Sequence, residues 1–249
     1  MSSPDPLRAA WLGRVAYVDG WRLQDAVAAR VRAGDDERLL LLEHDPVYTI
    51  GRRGTIDHLL ADASELREHR ASVYRVDRGG DITYHGPGQL VGYPIIRLGE
   101  RGDLVGYVRS IESALVDALA TYGVAARPEP SKTGVWVDLP DGRPAKIAAI
   151  GVRVSRGVTT HGFALNVHTD LAAFGRMIPC GFVHEVASLE RLGVRAEPRE
   201  TAERCAASLG ERLGRALSWS VIEPIRDDEI PADAPVRSAV DLIRDEVAV

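Results

Sequence analysis

The chain has 249 residues, of which 45% are hydrophobic and 27% are charged. Both fractions are close to those of globular proteins, so a packed core is expected and global disorder is excluded. Lys and Arg total 31 against 36 Asp and Glu, which gives a net charge of −5. Because binding to a phosphate backbone favours a basic protein, we predict no nucleic-acid partner.

No stretch approaches the ~18–20 apolar residues that cross a bilayer, and the first residues lack the apolar region of a signal peptide. We therefore predict no membrane association and a cytoplasmic location. The two cysteines, Cys180 and Cys205, make no disulfide framework and are considered singly. Because the common metal and nucleotide motifs are absent, we predict no metal ion and no other cofactor.

The first half of the chain mixes strand and helix patterns. In chain order it predicts a flexible leader (1–13), a short strand (15–19), an amphipathic helix (21–33), a buried strand (39–43) and two further strands (73–77 and 89–96). The buried strand is the apolar run LLLLE, which is short and bounded by charges. A loop of unusual composition separates the last two strands.

The second half begins with the clearest helix, at 104–122, where apolar residues recur at spacings of three and four. Strands at 134–138, 146–154 and 159–167 are joined by turn sequences, which predicts an antiparallel meander. A last helix is expected at 200–217. Because strands and helices follow no regular βαβ order, the predicted fold is α+β. We expect one catalytic domain at 14–220 and a peripheral acidic tail at 221–249.

The first candidate for a functional site is the loop at 78–89, which contains four glycines and one proline. Glycine lets backbone N–H groups approach a ligand closely and permits positive φ angles. Arg78 and His85 add a fixed charge and a titratable ring. On its composition alone, this segment is equally compatible with a solvated surface turn.

Two further candidates are single side chains. Lys146 directly precedes an apolar strand, where its ammonium would stabilise a neighbouring anion if it pointed inward; the alternative is an edge lysine that discourages aggregation. Cys180 lies between Pro179 and Gly181, which suits a thiol presented from a turn. A thiol becomes a nucleophile as the thiolate, but most lone cysteines are small buried hydrophobes, and that is our prediction for Cys205.

The histidines do not follow a metal-binding pattern. His85, His161 and His168, with Cys180, match no zinc spacing. The remaining four are predicted to be polar surface or turn residues: His44, His58, His69 and His184.

Four motifs taken together resemble the signature of the octanoyltransferases of lipoate biosynthesis. They are RGGDITYHGPGQ (78–89), KIAAIG (146–151), THGFALNV (160–167) and IPCG (178–181), and HDPVYTIGRRG (44–54) resembles the N-terminal motif of that family. The resemblance spans roughly residues 15–217, in the family's order. It implies a biotin/lipoate protein ligase-like fold, which is a mixed, mainly antiparallel β-sheet flanked by helices.

The resemblance also implies a mechanism without ATP. The thiol matching Cys180 attacks the octanoyl thioester of octanoyl-acyl carrier protein and holds the chain as an acyl-enzyme. It then yields the octanoyl group to a lysine of an acceptor, either a lipoyl domain of a 2-oxoacid dehydrogenase complex or the glycine cleavage H protein. Lys146 matches the lysine that lowers the pKa of the thiol and accepts the proton of the attacking amine.

The family's acyl-binding segments fall on three parts of this chain, where small residues leave room for an eight-carbon chain. They comprise Arg78, Gly79, Gly80, Asp81, Ile82, Thr83, Tyr84, His85, Ala149, Ile150, Gly151, Gly162, Phe163 and Ala164. Because both protein partners are usually acidic and this chain is net negative, a local basic patch is required. Its candidates are Arg52, Arg53, Arg78, Arg153 and Arg156.

Four other functions remain open from the sequence. An ATP-dependent lipoate- or biotin-protein ligase shares the fold but needs no nucleophilic cysteine. An amidotransferase would move octanoyl between lipoyl-bearing proteins. A non-catalytic acyl-binding module would retain the pocket without needing an activated thiol, and a cysteine hydrolase lacks the usual Cys-His-Asn ordering here.

Overall fold

The computed structural model describes residues 6–99, 102–178 and 185–221. Within these ranges the α-helices are α1 (Tyr17–Ala33), α2 (Ala63–Glu68), α3 (Leu104–Ala120) and α4 (Pro198–Leu213). The strands are β1 (Pro6–Val15), β2 (Glu37–His44), β3 (Val47–Ile50), β4 (Ser72–Arg75), β5 (Ile82–His85), β6 (Gln89–Ile95), β7 (Ala126–Glu129), β8 (Lys132–Asp138), β9 (Pro144–Ser155), β10 (Val158–Asn166), β11 (Glu185–Val186) and β12 (Ala216–Trp219).

The main sheet has nine strands among the described residues, in the order β12-β1-β2-β6-β10-β9-β8-β7, with β11 beside β9. Strand β1 runs parallel to β2 and β12, and β11 runs parallel to β9, while the other pairs are antiparallel. Strands β4, β3 and β5 form a smaller sheet. The predicted α+β fold with a mixed, mainly antiparallel sheet is confirmed.

Strand β2 shows why an uninterrupted apolar run fits this sheet. Successive strand side chains point to opposite faces. Leu39 and Leu41 pack into the core that contains α3 and α4, whereas Leu40 and Leu42 pack against α1. All four side chains have no exposed surface. Both faces of the sheet are therefore covered by helices here, which explains the four consecutive leucines within this strand.

The predicted meander and helices are confirmed with shifted ends. Strands β8, β9 and β10 pair antiparallel in sequence order. Helix α3 begins after Asp103, whose side chain accepts the Gly106 N–H at 2.8 Å. Helix α4 stops before residue 217 because Gly214 adopts φ 63°, a left-handed C-cap. The chain then pairs with β1 as β12.

The predicted leader is wrong from Pro6 onward. Strand β1 lies inside the main sheet, and its Leu7 and Ala9 have no exposed surface. The predicted strand at 15–19 is also wrong, because Tyr17 begins α1. The partners of β1 are distant along the chain, so no local pattern indicated the pairing.

The remaining boundary predictions fall partly outside the described residues. These include residues 1–5 of the leader and 222–249 of the acidic tail, and the domain limits 14–220 stay a prediction. The loop predicted at 78–89 contains a short strand, β5, which pairs with β3. Across the described ranges, no helix is both long enough and apolar enough to cross a bilayer.

Candidate functional site

A cleft of about 1190 Å³ lies where the smaller sheet meets the α1 side of the main sheet. Its floor is formed by β6, β9 and β10, and one wall by the segment that leads into β5. Leu104 and Val108 of α3 and the β7–β8 turn line its other end. This volume exceeds the roughly 300–1,000 Å³ of ordinary small-molecule pockets, so the cleft has room for more than one ligand group.

Nearly all of the predicted acyl-binding residues line this cleft. They are Arg78, Gly79, Gly80, Asp81, Ile82, Thr83, His85, Ala149, Ile150, Gly151, Gly162, Phe163 and Ala164. Tyr84 is not among the lining residues. Its ring instead packs against Tyr48 at 5.2 Å and Phe174 at 5.7 Å between centroids.

The segment before β5 is fixed by hydrogen bonds on both sides. Gly79 donates its N–H to the Val152 carbonyl oxygen of β9 at 3.1 Å. The Arg78 guanidinium is only 7% exposed, and its Nη2 donates to the Thr49 carbonyl oxygen at 2.5 Å and to its Oγ1 at 2.8 Å. Arg78 therefore joins the smaller sheet to the cleft wall.

Gly151 is required by this close approach. A Cβ added to Gly151 would lie 2.9 Å from the Gly79 carbonyl oxygen and 3.3 Å from the Arg78 Cδ. The family resemblance explains the small residue by room for an acyl chain. Contact between the backbone of β9 and the preceding loop is a second, independent reason for glycine.

A chain of three side chains fixes the tautomer of His85. Asn166 Nδ2 donates to the Ala187 carbonyl oxygen at 2.9 Å, so its Oδ1 accepts from Gln89 Nε2 at 2.9 Å. Gln89 Oε1 therefore accepts from His85 Nδ1 at 2.8 Å. Burial, followed by the positive charges of neighbouring groups, lowers the pKa of His85 to about 3. The ring is neutral at physiological pH, with Nε2 as an acceptor.

His44 belongs to the same buried group of rings. Its Nδ1 donates to the Val15 carbonyl oxygen at 2.8 Å, and its Nε2 accepts from the Tyr93 hydroxyl at 2.7 Å. Burial lowers the pKa of His44 to about 4. The prediction of a surface or turn residue is wrong for His44, which has no exposed surface. The sequence signal that indicated burial was the position of His44 two residues after the last leucine of the apolar run in β2.

The other histidines are distributed as follows. His58 ends a short turn, with its side chain 30% exposed, and lines the cleft, and His69 is exposed as predicted. His161 is buried and contacts Asp77 Oδ1 through Nε2 at 2.8 Å, and burial lowers its pKa. His184 lies outside the described residues. Within the described part of the chain, no three His, Cys, Asp or Glu side chains are grouped to hold a metal.

Lys146 lies on β9 and lines the cleft. Its Nζ is 4.9 Å from the centre of the Trp136 ring, a cation–π distance. Lys132 of the neighbouring strand β8 approaches the same ring at 5.3 Å. The inward-facing alternative for Lys146 is thus the one the structure supports.

Cys180 lies outside the described residues, but the chain on either side of it is described. On the N-terminal side, Ile178 donates its N–H to the His58 carbonyl oxygen at 2.9 Å. On the C-terminal side, Val186 pairs with Lys146, and Ala187 donates its N–H to the Lys146 carbonyl oxygen at 2.9 Å. The two ends are therefore attached to two cleft-lining residues.

Cys205 behaves as predicted. It is buried in the core beside α3, and burial raises the pKa of its thiol to about 12. A thiol that holds its proton so firmly is a poor nucleophile. Of the two cysteines, Cys180 is therefore the candidate nucleophile.

The predicted basic patch is only partly present. Arg52, Arg53 and Arg156 are exposed, but Arg78 is buried and Arg153 pairs with Asp77 at 2.6 Å. Burial, followed by the charges of Arg156 and Arg153, lowers the pKa of Arg32, which was not among the predicted members.

Fold and sequence together define the class of protein. The chain belongs to the lipoyl protein ligase A/B catalytic domain family, whose model matches residues 16–210. The bi-partite lipoate protein ligase of Thermoplasma acidophilum has a similar structure, with a TM-score of 0.74 over 90% of this chain and 89% of that one. At 20% identity, that likeness shows the fold alone.

Closer relatives carry a more specific name. A protein of Solibacter usitatus named octanoyltransferase is 48% identical over 195 residues, which cover 78% of this chain and 86% of the relative. A protein of Mycolicibacterium gilvum with the same name is 49% identical over 223 residues, which cover 88% and 91%.

Proposed function

We propose that this chain is an octanoyltransferase that transfers an octanoyl group to lipoyl domains through a thioester on Cys180. The observation that carries the proposal is the near-half identity, over most of both chains, to relatives named octanoyltransferase. An ATP-dependent ligase, the nearest alternative, is not favoured by those relatives. The predicted cytoplasmic location stays a prediction.

The attachment of the chain on both sides of Cys180 supports its role as nucleophile. Cys180 is two peptide links from Ile178, and two links span at most about 7.6 Å. The Ile178 backbone N–H is hydrogen-bonded to the carbonyl oxygen of His58, which lines the cleft, and β11 pairs with β9 at Lys146. The described chain thus contacts cleft-lining residues both before and after Cys180.

Lys146 supplies what such a thiol needs. Its ammonium favours the thiolate over the thiol by direct charge attraction. In the second step, the amine of the acceptor attacks the thioester carbonyl carbon, and the C–N bond forms as the C–S bond breaks. Lys146 is neutral at this stage because its ammonium proton has gone to the carrier thiolate released in the first step. It accepts one N–H proton from the adduct and returns it to the departing sulfur. The transfer from one thioester to another has a free-energy change near zero, and the formation of the amide from a thioester has a negative one. The reaction therefore needs no ATP.

The cleft suits an acyl chain that ends in a polar arm. Ala149 and Ala164 pair across β9 and β10, and Val91 extends the apolar floor. Burying an alkyl chain here stabilises the complex by about 0.8 kcal/mol per CH₂. We propose octanoyl-acyl carrier protein as the donor, and the volume beyond the acyl chain takes the arm that carries its thioester.

The acceptor is proposed to be a lipoyl domain, of 2-oxoacid dehydrogenases or of the glycine cleavage H protein. The full chain is incubated with octanoyl-acyl carrier protein and a lipoyl domain, with and without ATP, and the acceptor mass is measured. Equal octanoylation in both samples is expected. Modification only with free octanoate and ATP would identify a ligase instead.

An exposed basic pair at the cleft provides a test of carrier recognition. Arg53 lines the cleft and Arg52 is its exposed neighbour. Arg52→Glu with Arg53→Glu is expected to raise the apparent KM for the carrier about fivefold and to flatten its salt dependence, since rim charges mainly steer encounter.

The matched control is Arg195→Glu with Arg199→Glu, which makes the same charge change at exposed positions around the start of α4, on the opposite face of the sheet. Steady-state rates across a range of carrier and salt concentrations compare the two variants. Equal effects in both pairs would show a general charge effect and remove Arg52 and Arg53 from the docking surface.

A further inference from the structure

His58 and Asp81 form a partly buried acid–histidine pair in the wall of the cleft. His58 Nδ1 is 2.7 Å from Asp81 Oδ2, and Asp81 Oδ1 accepts the Ile82 N–H at 2.6 Å. Asp81 is 5% exposed, so the carboxylate is firmly held. Because a carboxylate accepts the proton of Nδ1, the neutral His58 ring carries its lone pair on Nε2.

The position of His58 is fixed by the strand-like contact that precedes Cys180 in the chain. Leu59 pairs with Met177, Leu60 donates its N–H to the Arg176 carbonyl oxygen at 2.8 Å, and Ile178 donates to the His58 carbonyl oxygen. The imidazole lines the cleft with 30% of its side chain exposed. An oriented base with access to water thus lies in the same cleft as Lys146.

The charged groups on the elements around His58 are few. Asp81 is its bonded partner, Asp57 precedes it and is bonded to Thr55, and Arg53 lines the same cleft. Arg176, on the paired segment, donates to His69. The acidic partner in direct contact is Asp81.

Amide formation requires the removal of a second proton, and therefore a second base. The side chain of the acceptor lysine arrives as an ammonium with three protons on nitrogen, and the amide nitrogen keeps one, so two protons must leave. One proton returns to the Cys180 sulfur through Lys146, as proposed above. The other ends in water, and a partly exposed histidine is suited to release it there.

We propose that His58, oriented by Asp81, accepts the first proton from the acceptor lysine ammonium and releases it to water. The inference rests on the proposed function. The neutral amine then forms the C–N bond to the octanoyl carbonyl carbon, and the C–S bond to Cys180 breaks. His58 is therefore needed when the nucleophile is an ammonium and not when it is already neutral.

The test separates the two kinds of nucleophile. Octanoyl-enzyme is formed from octanoyl-acyl carrier protein, freed of donor, and treated with either a lipoyl domain or hydroxylamine, which is largely uncharged at neutral pH. We expect His58→Gln to slow the lysine reaction by about 10²-fold and to leave the hydroxylamine reaction unchanged.

Controls keep the result specific. His69→Gln changes an exposed histidine in contact with Arg176 and is expected to leave both reactions unchanged. Asp81→Asn should slow the lysine reaction about tenfold, and added imidazole should partly rescue His58→Ala. Equal loss of both reactions in His58→Gln, or no loss of the lysine reaction, would overturn the proposal. If the unmodified protein forms no octanoyl-enzyme, the proposed function itself fails.

Discussion

We expect Lys146→Met to lower kcat/KM for octanoyl transfer by about 10²–10⁴-fold, the range for loss of a general acid–base group. Methionine keeps the length and the apolar contact of the lysine stem with Trp136 but removes the charge. Without the ammonium, the Cys180 thiolate loses its stabilising cation and the adduct loses a proton acceptor. Steady-state transfer to a lipoyl domain measures the effect.

Lys132→Met is the matched control. Lys132 lines the same cleft, and its Nζ approaches the Trp136 ring at 5.3 Å, against 4.9 Å for Lys146. If Lys146 acts on the reacting atoms, Lys132→Met changes kcat/KM by less than about threefold. Similar losses in both variants would mean that general positive charge at the tryptophan, rather than Lys146 itself, supports the reaction.

Lys146→Arg separates the two roles given to Lys146. A guanidinium keeps its positive charge but does not give up its proton in proteins. The variant should form octanoyl-enzyme and then release octanoyl to the acceptor slowly, so the thioester accumulates. Rapid turnover by Lys146→Arg would remove the proton-accepting role and leave only charge stabilisation.

The second large effect is on stability. Gly162 of β10 lies against β6, where an added Cβ would be 2.6 Å from Pro94 Cδ and closer still to the Gly92 carbonyl oxygen. Backbone in the middle of a sheet cannot move away cheaply, so Gly162→Ala is expected to destabilise the fold by about 2 kcal/mol or more. The melting temperature should fall by about 4–8 °C.

Gly175→Ala provides the comparison, because an added Cβ at Gly175 has no neighbouring atom within 4 Å. Its stability should stay within about 0.5 kcal/mol of the unchanged protein. Thermal unfolding of both variants, followed by calorimetry, decides between the two expectations. A Gly162→Ala protein that melts normally would mean that Gly162 serves the acyl chain rather than the approach of β6.

Elements with a local signal were predicted well. The apolar run of β2 reflects a strand that is buried on both faces. The three- and four-residue spacing of α3 reflects a helix that is buried on one face. Strand β1 was missed because its neighbours are far along the chain. The end of α4 was missed because an apolar stretch after Gly214 fits a strand as well as a helix.

The candidate site could be predicted only in part, for a physical reason. Motifs identified most of the cleft-lining residues, but hydrogen bonds between distant segments decide what a side chain does. Nothing in the sequence joins His58 to Asp81, or Gln89 to Asn166, across the fold. For Gly162, the sequence suggested space for a ligand, while the structure shows contact with a neighbouring strand.

The proposed mechanism requires a covalent octanoyl intermediate on Cys180, which intact-mass spectrometry detects. The full chain and Cys180→Ala are each incubated with octanoyl-acyl carrier protein in the absence of ATP. We expect an increase of one octanoyl group in the unchanged protein, its loss when a lipoyl domain is added, and no adduct in the variant. An adduct that persists in Cys180→Ala, or transfer to the acceptor without any adduct on the enzyme, would contradict the mechanism.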